Sequence, residues 1–107
     1  MIEAKKVLFE NKFCYQLTSD GELAGRCFYD PTEGEIYDYE YLTELDEISK
    51  RLMFLSVLGY LEDIGHRNVI CSCNKDEDII LRLGFTKKTE NNFVLSLEGY
   101  FKGCGGH

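Results

Sequence analysis

The sequence predicts an α+β fold with a mixed, mainly antiparallel sheet and two main helices, in the order β-β-β-α-β-α-β. An Asp-Gly pair at residues 20–21 separates two β-rich runs, which is typical of a two-residue hairpin. The apolar run at residues 52–61 indicates a buried helix. Residues 74–85 read N-K-D-E-D-I-I-L-R-L-G-F and lie between two further β-rich runs, which indicates a second helix.

Composition predicts one globular domain over all 107 residues, with residues 102–107 as a flexible tail. The net charge of −7 makes nucleic acid and anionic membranes unexpected partners, because both require a positive patch. The longest uncharged run, residues 52–61, is too short to span a bilayer. The first residues show no signal-peptide pattern, so a cytoplasmic location is expected.

The first half of the chain predicts an antiparallel meander of three strands. Residues 13–18 and 22–29 flank the Asp-Gly turn, and residues 35–42 follow a second turn. In that second turn Pro31 fixes its own φ angle, and Gly34 allows the chain to leave in an unusual conformation. Strict alternation along the third strand predicts two faces. One face would hold Tyr37, Tyr39 and Tyr41, and the other Ile36, Asp38, Glu40 and Leu42.

A long helix is predicted at residues 46–64. Thr43 or Asp46 can cap its start, and Gly65 is suited to the position just after its end. The run at residues 52–61 is apolar on nearly every side of this helix. Such a helix is buried on more than one face, either between the sheet and another element or between two subunits.

The second half of the chain predicts a strand, a short helix and a final strand. The strands are placed at residues 68–73 and 92–98. Asn74 would cap the helix, with Glu77 at the reciprocal capping-box position, and Gly84 would end it. The helix between two strands suggests a right-handed crossover.

This strand, capped helix with an L-G-F ending, and final strand resemble the C-terminal half of the GNAT family of acyl-CoA-dependent N-acetyltransferases. The resemblance covers residues 12–101, and residues 2–9 would supply one stub of an N-terminal part that is otherwise missing. It implies a GNAT-like fold, acetyl-CoA as cofactor, and transfer of an acyl group to an amine. The acceptor would be a small amine or a peptide amine.

The glycine-rich signature that holds CoA in this family is absent from the chain. The family places Q/R-x-x-G-x-G/A at the start of the long helix, where free N–H groups bind the pyrophosphate. Residues 45–50 occupy that position here and contain two carboxylates and no glycine. Eight acids and no base lie between Arg26 and Lys50: Asp30, Glu33, Glu35, Asp38, Glu40, Glu44, Asp46 and Glu47. We therefore expect weak acetyl-CoA binding.

The resemblance also implies candidate site residues in two roles. Asp38 and Glu40 lie on one face of the third predicted strand and would be the catalytic bases, since neighbouring carboxylates can raise one pKa toward neutrality. The other reading of this pair is a solvent-facing sheet surface. The cofactor-binding residues would be Tyr41, Leu42, Lys50 and Asn74. The tyrosine that often protonates the departing thiolate in the family is replaced by Ile80.

Three functions stay open from the sequence. The chain is an N-acetyltransferase with a degenerate CoA site, a non-catalytic GNAT-like binding or assembly module, or a cysteine-based metal or thiol regulatory protein. The last reading rests on Cys71, Cys73, Cys104 and His107, which have the composition of a zinc site but not the spacing of a known motif, so no residue is assigned as a metal ligand. A homodimer is expected, because a shortened sheet leaves apolar surface or an edge exposed.

Overall fold

The computed structural model describes residues 1–101, and these residues form one sheet and two helices. Along the chain the elements are β1 (Ile2–Phe9), β2 (Lys12–Ser19), β3 (Glu22–Asp30), β4 (Glu35–Tyr41), α1 (Glu47–Asp63), β5 (Asn68–Cys71), α2 (Glu77–Arg82), β6 (Thr86–Thr89) and β7 (Asn92–Ser96). The predicted α+β class, with a mostly antiparallel sheet and two helices, is confirmed.

The sheet has the strand order β1-β2-β3-β4-β5-β7-β6. Neighbouring strands are antiparallel except β4 and β5, which α1 connects as a parallel crossover. The third predicted strand pairs as expected. It is antiparallel to residues 22–29 on one side and parallel to the strand after the long helix on the other.

The sequence analysis predicted one strand, β1, only as a stub and did not predict another, β6. β1 is a full strand paired with β2 along its whole length rather than a stub. Glu10 and Asn11, with φ angles of 50° and 64°, form the turn between them. This is the geometry of a type I′ turn, which Asp20 and Gly21 also adopt between β2 and β3. The Glu-Asn pair lacks the glycine that identifies such a turn in a sequence. β6, with every residue exposed, offers no hydrophobic alternation.

The core lies on one face of the sheet, and both helices pack there. Buried residues of α1 and α2 belong to the same hydrophobic cluster as buried residues of the strands. Among the largest of these side chains are Tyr29, Tyr39, Phe54, Phe93, Met53 and Leu58. Within the described residues no helix covers the opposite face, which we call the uncovered face.

A β-bulge in β4 changes the predicted faces of the third strand. The pairing with β3 passes from Phe28–Asp38 to Tyr29–Ile36, so Tyr37 has no partner of its own. As a result Ile36 and Tyr39 both enter the core, while Tyr37 is 37% exposed and its ring lies against Phe28. The prediction that the tyrosines of this strand share one face is therefore wrong at Tyr37.

The ends of α1 agree with the sequence analysis. The Asp46 carboxylate caps the helix by accepting a hydrogen bond from the Ser49 N–H, at 2.8 Å. Gly65 follows the helix with φ of +104°, and its N–H donates to the Glu62 carbonyl. This left-handed conformation is the one that favours glycine after a helix.

The predicted start of α2 is wrong by two residues. The N-cap is Asp76, whose carboxylate accepts from the Ile79 N–H, and not Asn74. Glu77 forms an ion pair with Lys87 on β6 instead of a capping box. Because Asn and Asp are both good caps, the sequence N-K-D-E offered two possible starts and tertiary contacts selected the later one.

The apolar run of α1 is covered by the chain itself. Met53, Phe54, Val57, Leu58 and Leu61 are fully buried. This burial supports the interpretation that the helix packs between the sheet and other elements of the same chain. It does not require a second subunit to cover these side chains. No helix in residues 1–101 is long and apolar enough to cross a membrane.

We predict that Phe54→Ala lowers the free energy of unfolding by about 3–5 kcal/mol, because the ring is fully buried and packs edge-to-face on Tyr39. Leu52→Ala in the same helix is the matched control, since Leu52 is 36% exposed, and it should cost about 1 kcal/mol or less. Urea unfolding of both variants measures the difference. Equal losses would contradict this account of the core.

Candidate functional site

The candidate site is a gap in the middle of the sheet, where β4 and β5 separate. The two strands pair only at Glu35–Ile70 and Ile36–Cys71. Within residues 1–101, the hydrogen bond from the Ser72 N–H to the Ile36 carbonyl is the last one that joins the main chains of the two strands. Beyond it, the second half of β4 faces the loop between β5 and α2.

The Tyr39 side chain spans the core side of this gap. Its hydroxyl donates to the Cys73 carbonyl and accepts from the Asp76 N–H, both at 3.0 Å. The ring is 1% exposed and lies 5.0 Å from the Phe54 ring. Burial raises the pKa of Tyr39, so the phenol stays protonated and remains a donor at neutral pH. One side chain therefore holds β4 to the start of α2.

Asp76 gathers three donors at the same place. Its carboxylate accepts from the Tyr41 hydroxyl at 2.8 Å, from Lys50 Nζ at 3.1 Å and from the Ile79 N–H at 3.4 Å. Burial opposes the charged form, but these hydrogen bonds outweigh it and lower the pKa of Asp76. Burial, followed by the hydrogen bond to this carboxylate, raises the pKa of Tyr41.

Lys75 closes the gap on the opposite side from Asp76. Its ammonium donates to the Asp38 carboxylate at 2.7 Å and to the Tyr39 carbonyl at 3.4 Å. The Tyr39 N–H in turn donates to Asp38 at 2.9 Å. Both main-chain groups of Tyr39 that point into the gap are therefore bonded within the chain. The hydrogen bond to Asp38 raises the pKa of Lys75, which keeps it charged.

The two predicted bases are both ion-paired. Asp38 holds Lys75, and Glu40 pairs with Arg26 at 2.7 Å. Arg26 also stacks 3.9 Å above the centre of the Phe9 ring, so its position on the uncovered face is fixed. To remove a proton from an acceptor amine, either carboxylate would first have to leave its cation.

The start of α1 carries two carboxylates, and both already have partners within the chain. The Asp46 carboxylate uses the Ser49 N–H, and Glu47 pairs with Arg82 of α2. A shallow pocket of about 110 Å³ opens beside this end of the helix. Three acidic and two basic residues line it together with Ile79: Glu47, Asp76, Asp78, Lys50 and Arg82. Because Lys50 already neutralises Asp76, an arriving anion would meet an excess of negative charge.

The remaining predicted cofactor residues are dispersed. The Leu42 N–H donates to the Ala24 carbonyl of β3, so it is not available to a ligand in the gap. Because successive strand residues point to opposite edges, the main-chain groups of Tyr41 do face the gap. The Asn74 amide donates to the Glu90 carbonyl and holds the β6–β7 turn. Ile80, at the family's tyrosine position, is fully buried in the core.

The cysteines of the described residues are buried, and Cys27, Cys71 and Cys73 belong to the hydrophobic core. Cys14, Cys27, Cys71 and Cys73 are buried. Burial raises the pKa of Cys14 and Cys27, and raises that of Cys71 to about 12. Residues 1–101 contain no group of three or more residues able to hold a metal ion. Cys104 and His107, the other two residues considered as zinc ligands, lie outside the described residues. The predicted flexible tail, residues 102–107, also lies outside them.

Sequence reasoning missed the residues that bridge the gap. The sequence analysis assigned no function to Lys75 or Asp76. Asp76 could have been considered as a helix cap, because it lies two residues after the predicted cap Asn74 and aspartate is also a good capping residue. Tyr39 was seen only as part of a stripe, and no local pattern indicates its two main-chain contacts across about 35 residues of chain. Comparison with protein-family models, curated proteins and solved structures found no match.

The lowered pKa of Asp76 predicts a specific acid sensitivity. A carboxylate whose pKa is lower in the folded state stabilises the fold above its unfolded pKa of about 4, and this stabilisation is lost as the pH falls through the folded value. Wild-type protein should therefore lose stability more steeply than Asp76→Asn, which keeps a capping side chain, between about pH 5 and pH 2.

Urea unfolding at stepped pH measures this difference. Asp78→Asn is the control, because the Asp78 side chain is 82% exposed and should leave the pH dependence unchanged. A wild-type curve parallel to that of Asp76→Asn over this range would contradict the proposed hydrogen-bond origin of the shift.

Proposed function

We propose that this chain is a GNAT-like domain that binds or assembles with another molecule and does not transfer an acyl group. The GNAT-like part of the proposal is supported by the element order after β1 and by the separation of parallel strands β4 and β5. The observation that favours binding over catalysis is the closed state of the gap. Lys75 and the Tyr39 hydroxyl occupy the main-chain groups on its two sides.

The polar groups at the gap satisfy each other, which supports this proposal energetically. A thioester arm would have to replace the Lys75–Tyr39 contact and separate Lys75 from Asp38. The Lys75 and Asp38 side chains are about half exposed and can be solvated by water, but the Tyr39 carbonyl would cost about 1–3 kcal/mol if it were left buried without a partner. The missing pyrophosphate cradle at α1 offers no compensating interaction for the other end of CoA.

Electrostatics support the same conclusion. The pyrophosphate and 3′-phosphate of CoA are strongly anionic, whereas the chain has a net charge of −7. Lys50 and Arg82, the two cations at the α1–α2 pocket, are both already paired with carboxylates. Lys50, the cation that the resemblance assigned to CoA, is therefore already ion-paired.

A weak N-acyltransferase is the second candidate, and one observation favours it. Lys75 is held at the gap by its terminal ammonium, and its side chain is 59% exposed. Rotation of this one side chain would open the Tyr39 carbonyl and leave the Asp38 carboxylate facing the gap. An amine attracted by the acidic surface would then take the place of the Lys75 ammonium.

The homodimer also remains a proposal. It would have to use a surface other than the apolar run of α1, because that run is buried within the chain. An edge of the sheet is the remaining candidate.

We predict that acetyl-CoA binds no more tightly than about 10⁻⁴ M, because several charge-assisted hydrogen bonds to the pyrophosphate are missing. Isothermal calorimetry at moderate salt measures the affinity. Lys75→Ala, which removes the cation from the gap, should not improve binding beyond this range.

A thiol-release assay with acetyl-CoA and a mixture of small amines separates the two candidates. Under the binding-module proposal the wild-type rate equals the uncatalysed rate. A rate above that level which falls in Asp38→Asn would establish the enzyme instead, as would a sub-micromolar affinity for acetyl-CoA.

A further inference from the structure

The outer edge of β1 is a long, regular and unoccupied strand edge. All eight residues of β1 pair in continuous register with β2, with no bulge and no proline. Within the described residues no strand pairs with its other edge, since β1 ends the sheet. Such an edge is a template for an added strand unless the protein blocks it.

Half of the main-chain groups of β1 point away from the sheet. The Asp20 N–H donates to the Met1 carbonyl, so the main-chain groups of residue 1 face β2. By alternation, those of Ile2, Ala4, Lys6 and Leu8 face outward. Four N–H and four C=O groups are thereby presented in strand geometry along one edge.

An apolar groove lies beside this edge, on the helix side of the sheet. Its volume is about 260 Å³, and its lining residues are Lys6, Val7, Leu8, Phe13 and Tyr60. Leu8 is 62% exposed and Phe13 is 48% exposed, which is unusual for side chains of this size next to a core. Lys6 Nζ sits 4.1 Å from the centre of the Tyr60 ring and borders the groove.

The charge of this hairpin differs from that of the rest of the chain. Residues 1–19 carry three lysines and two glutamates, although the whole protein is strongly acidic. None of Lys5, Lys6 and Lys12 takes part in the ion pairs formed among residues 1–101. Alternation places Lys5 and Lys12 on the uncovered face, opposite the groove, together with Glu3. Lys12 Nζ lies 5.8 Å from the centre of the Phe28 ring, so Lys5 is the cation nearest the edge.

A second copy of the chain fits this edge poorly in the register that pairs β1 over its full length. In an antiparallel pair of β1 strands related by a two-fold axis through their middle, Lys5 would face Lys5 or Lys6 would face Lys6. Like charges directly opposite each other destabilise a strand pair. The positive charge is better matched by a partner that brings carboxylates.

We propose that the β1 edge binds an extended segment of another protein as an added strand, and that this segment alternates apolar and acidic residues. The apolar side chains enter the groove between Leu8, Phe13 and Tyr60. The acidic side chains point to the uncovered face, where one of them lies opposite Lys5. Main-chain hydrogen bonds supply affinity, and the groove and Lys5 supply selectivity. This inference rests on the proposed binding function and names its surface and partner.

The test uses an end-capped eight-residue peptide of alternating valine and glutamate. Calorimetry at low salt should detect binding on the order of 10⁻⁵ M, and replacing glutamate by lysine in the peptide should weaken it at least tenfold. Two further peptides carry N-methyl groups on all valines or on all glutamates. Because only one set of N–H groups can face β1, one of these peptides should lose binding and the other should keep it.

Variants of the protein locate the site. Ala4→Pro removes an outward N–H that has no role inside the sheet, and Ala4→Ser keeps it. We expect Ala4→Pro to weaken binding at least tenfold and Ala4→Ser to leave it within a factor of two. Leu8→Glu alters only an exposed side chain of the groove, and it should weaken binding to the same extent without affecting the fold.

Absence of peptide binding, or equal binding by wild type, Ala4→Pro and Leu8→Glu, would overturn the inference. The acetyl-CoA titration does not involve this edge, so a failure of peptide binding leaves the proposed binding function unchanged. Acyl transfer in the thiol-release assay would overturn the proposed function, whether or not the peptide binds. A dimer in light scattering that Ala4→Pro dissociates would assign the edge to a second copy and overturn the proposed partner.

Discussion

The hydroxyl of Tyr39 is the contact on which the middle of this sheet depends. β4 and β5 share only two residue pairs, and in the described part of the chain the hydrogen bond from Ser72 to Ile36 is the last that joins their main chains. The Tyr39 phenol replaces the missing ladder by donating to the Cys73 carbonyl and accepting from the Asp76 N–H. A buried group satisfied as both donor and acceptor fixes its neighbours in both directions, because losing either partner leaves a buried polar atom unpaired. The position of α2, which starts at Asp76, follows from this contact.

The bulge in β4 makes that contact possible and also decides the chemistry of the gap. Ile36 and Tyr39 are three residues apart, so strict alternation would place them on opposite faces; the bulge at Tyr37 puts both on the core face. With it, Asp38 turns to the uncovered face beside Lys75. Asp38, Lys75 and the main-chain groups of Tyr39 then pair with one another within the chain. A ligand in the gap would have to compete with these contacts.

Much of the fold was readable from local patterns, and the exceptions share one physical cause. Asp46, Gly65 and the Asp20–Gly21 turn depend on neighbouring residues only, so their predicted roles agree with the structure. The cap of α2, the face of Tyr37 and the length of β1 depend on partners distant in the chain. Two of the predicted cofactor residues, Tyr41 and Lys50, meet around Asp76 at the separation of β4 and β5. Asn74 and the Leu42 N–H have other partners, because their contacts with Glu90 and Ala24 cannot be seen in a local motif.

The one-sided arrangement of helices explains why an edge, and not the uncovered face, is the better candidate for binding. That face is already occupied by its own side chains. Arg26 stacks on Phe9 while it pairs with Glu40, and the Phe28 ring, only 7% exposed, contacts both Phe9 and Tyr37. A partner docking there would have to break these contacts before making its own. The outward main-chain groups of β1 have no such competitors within the described residues, so a strand added at that edge gains hydrogen bonds without displacing any formed inside the protein.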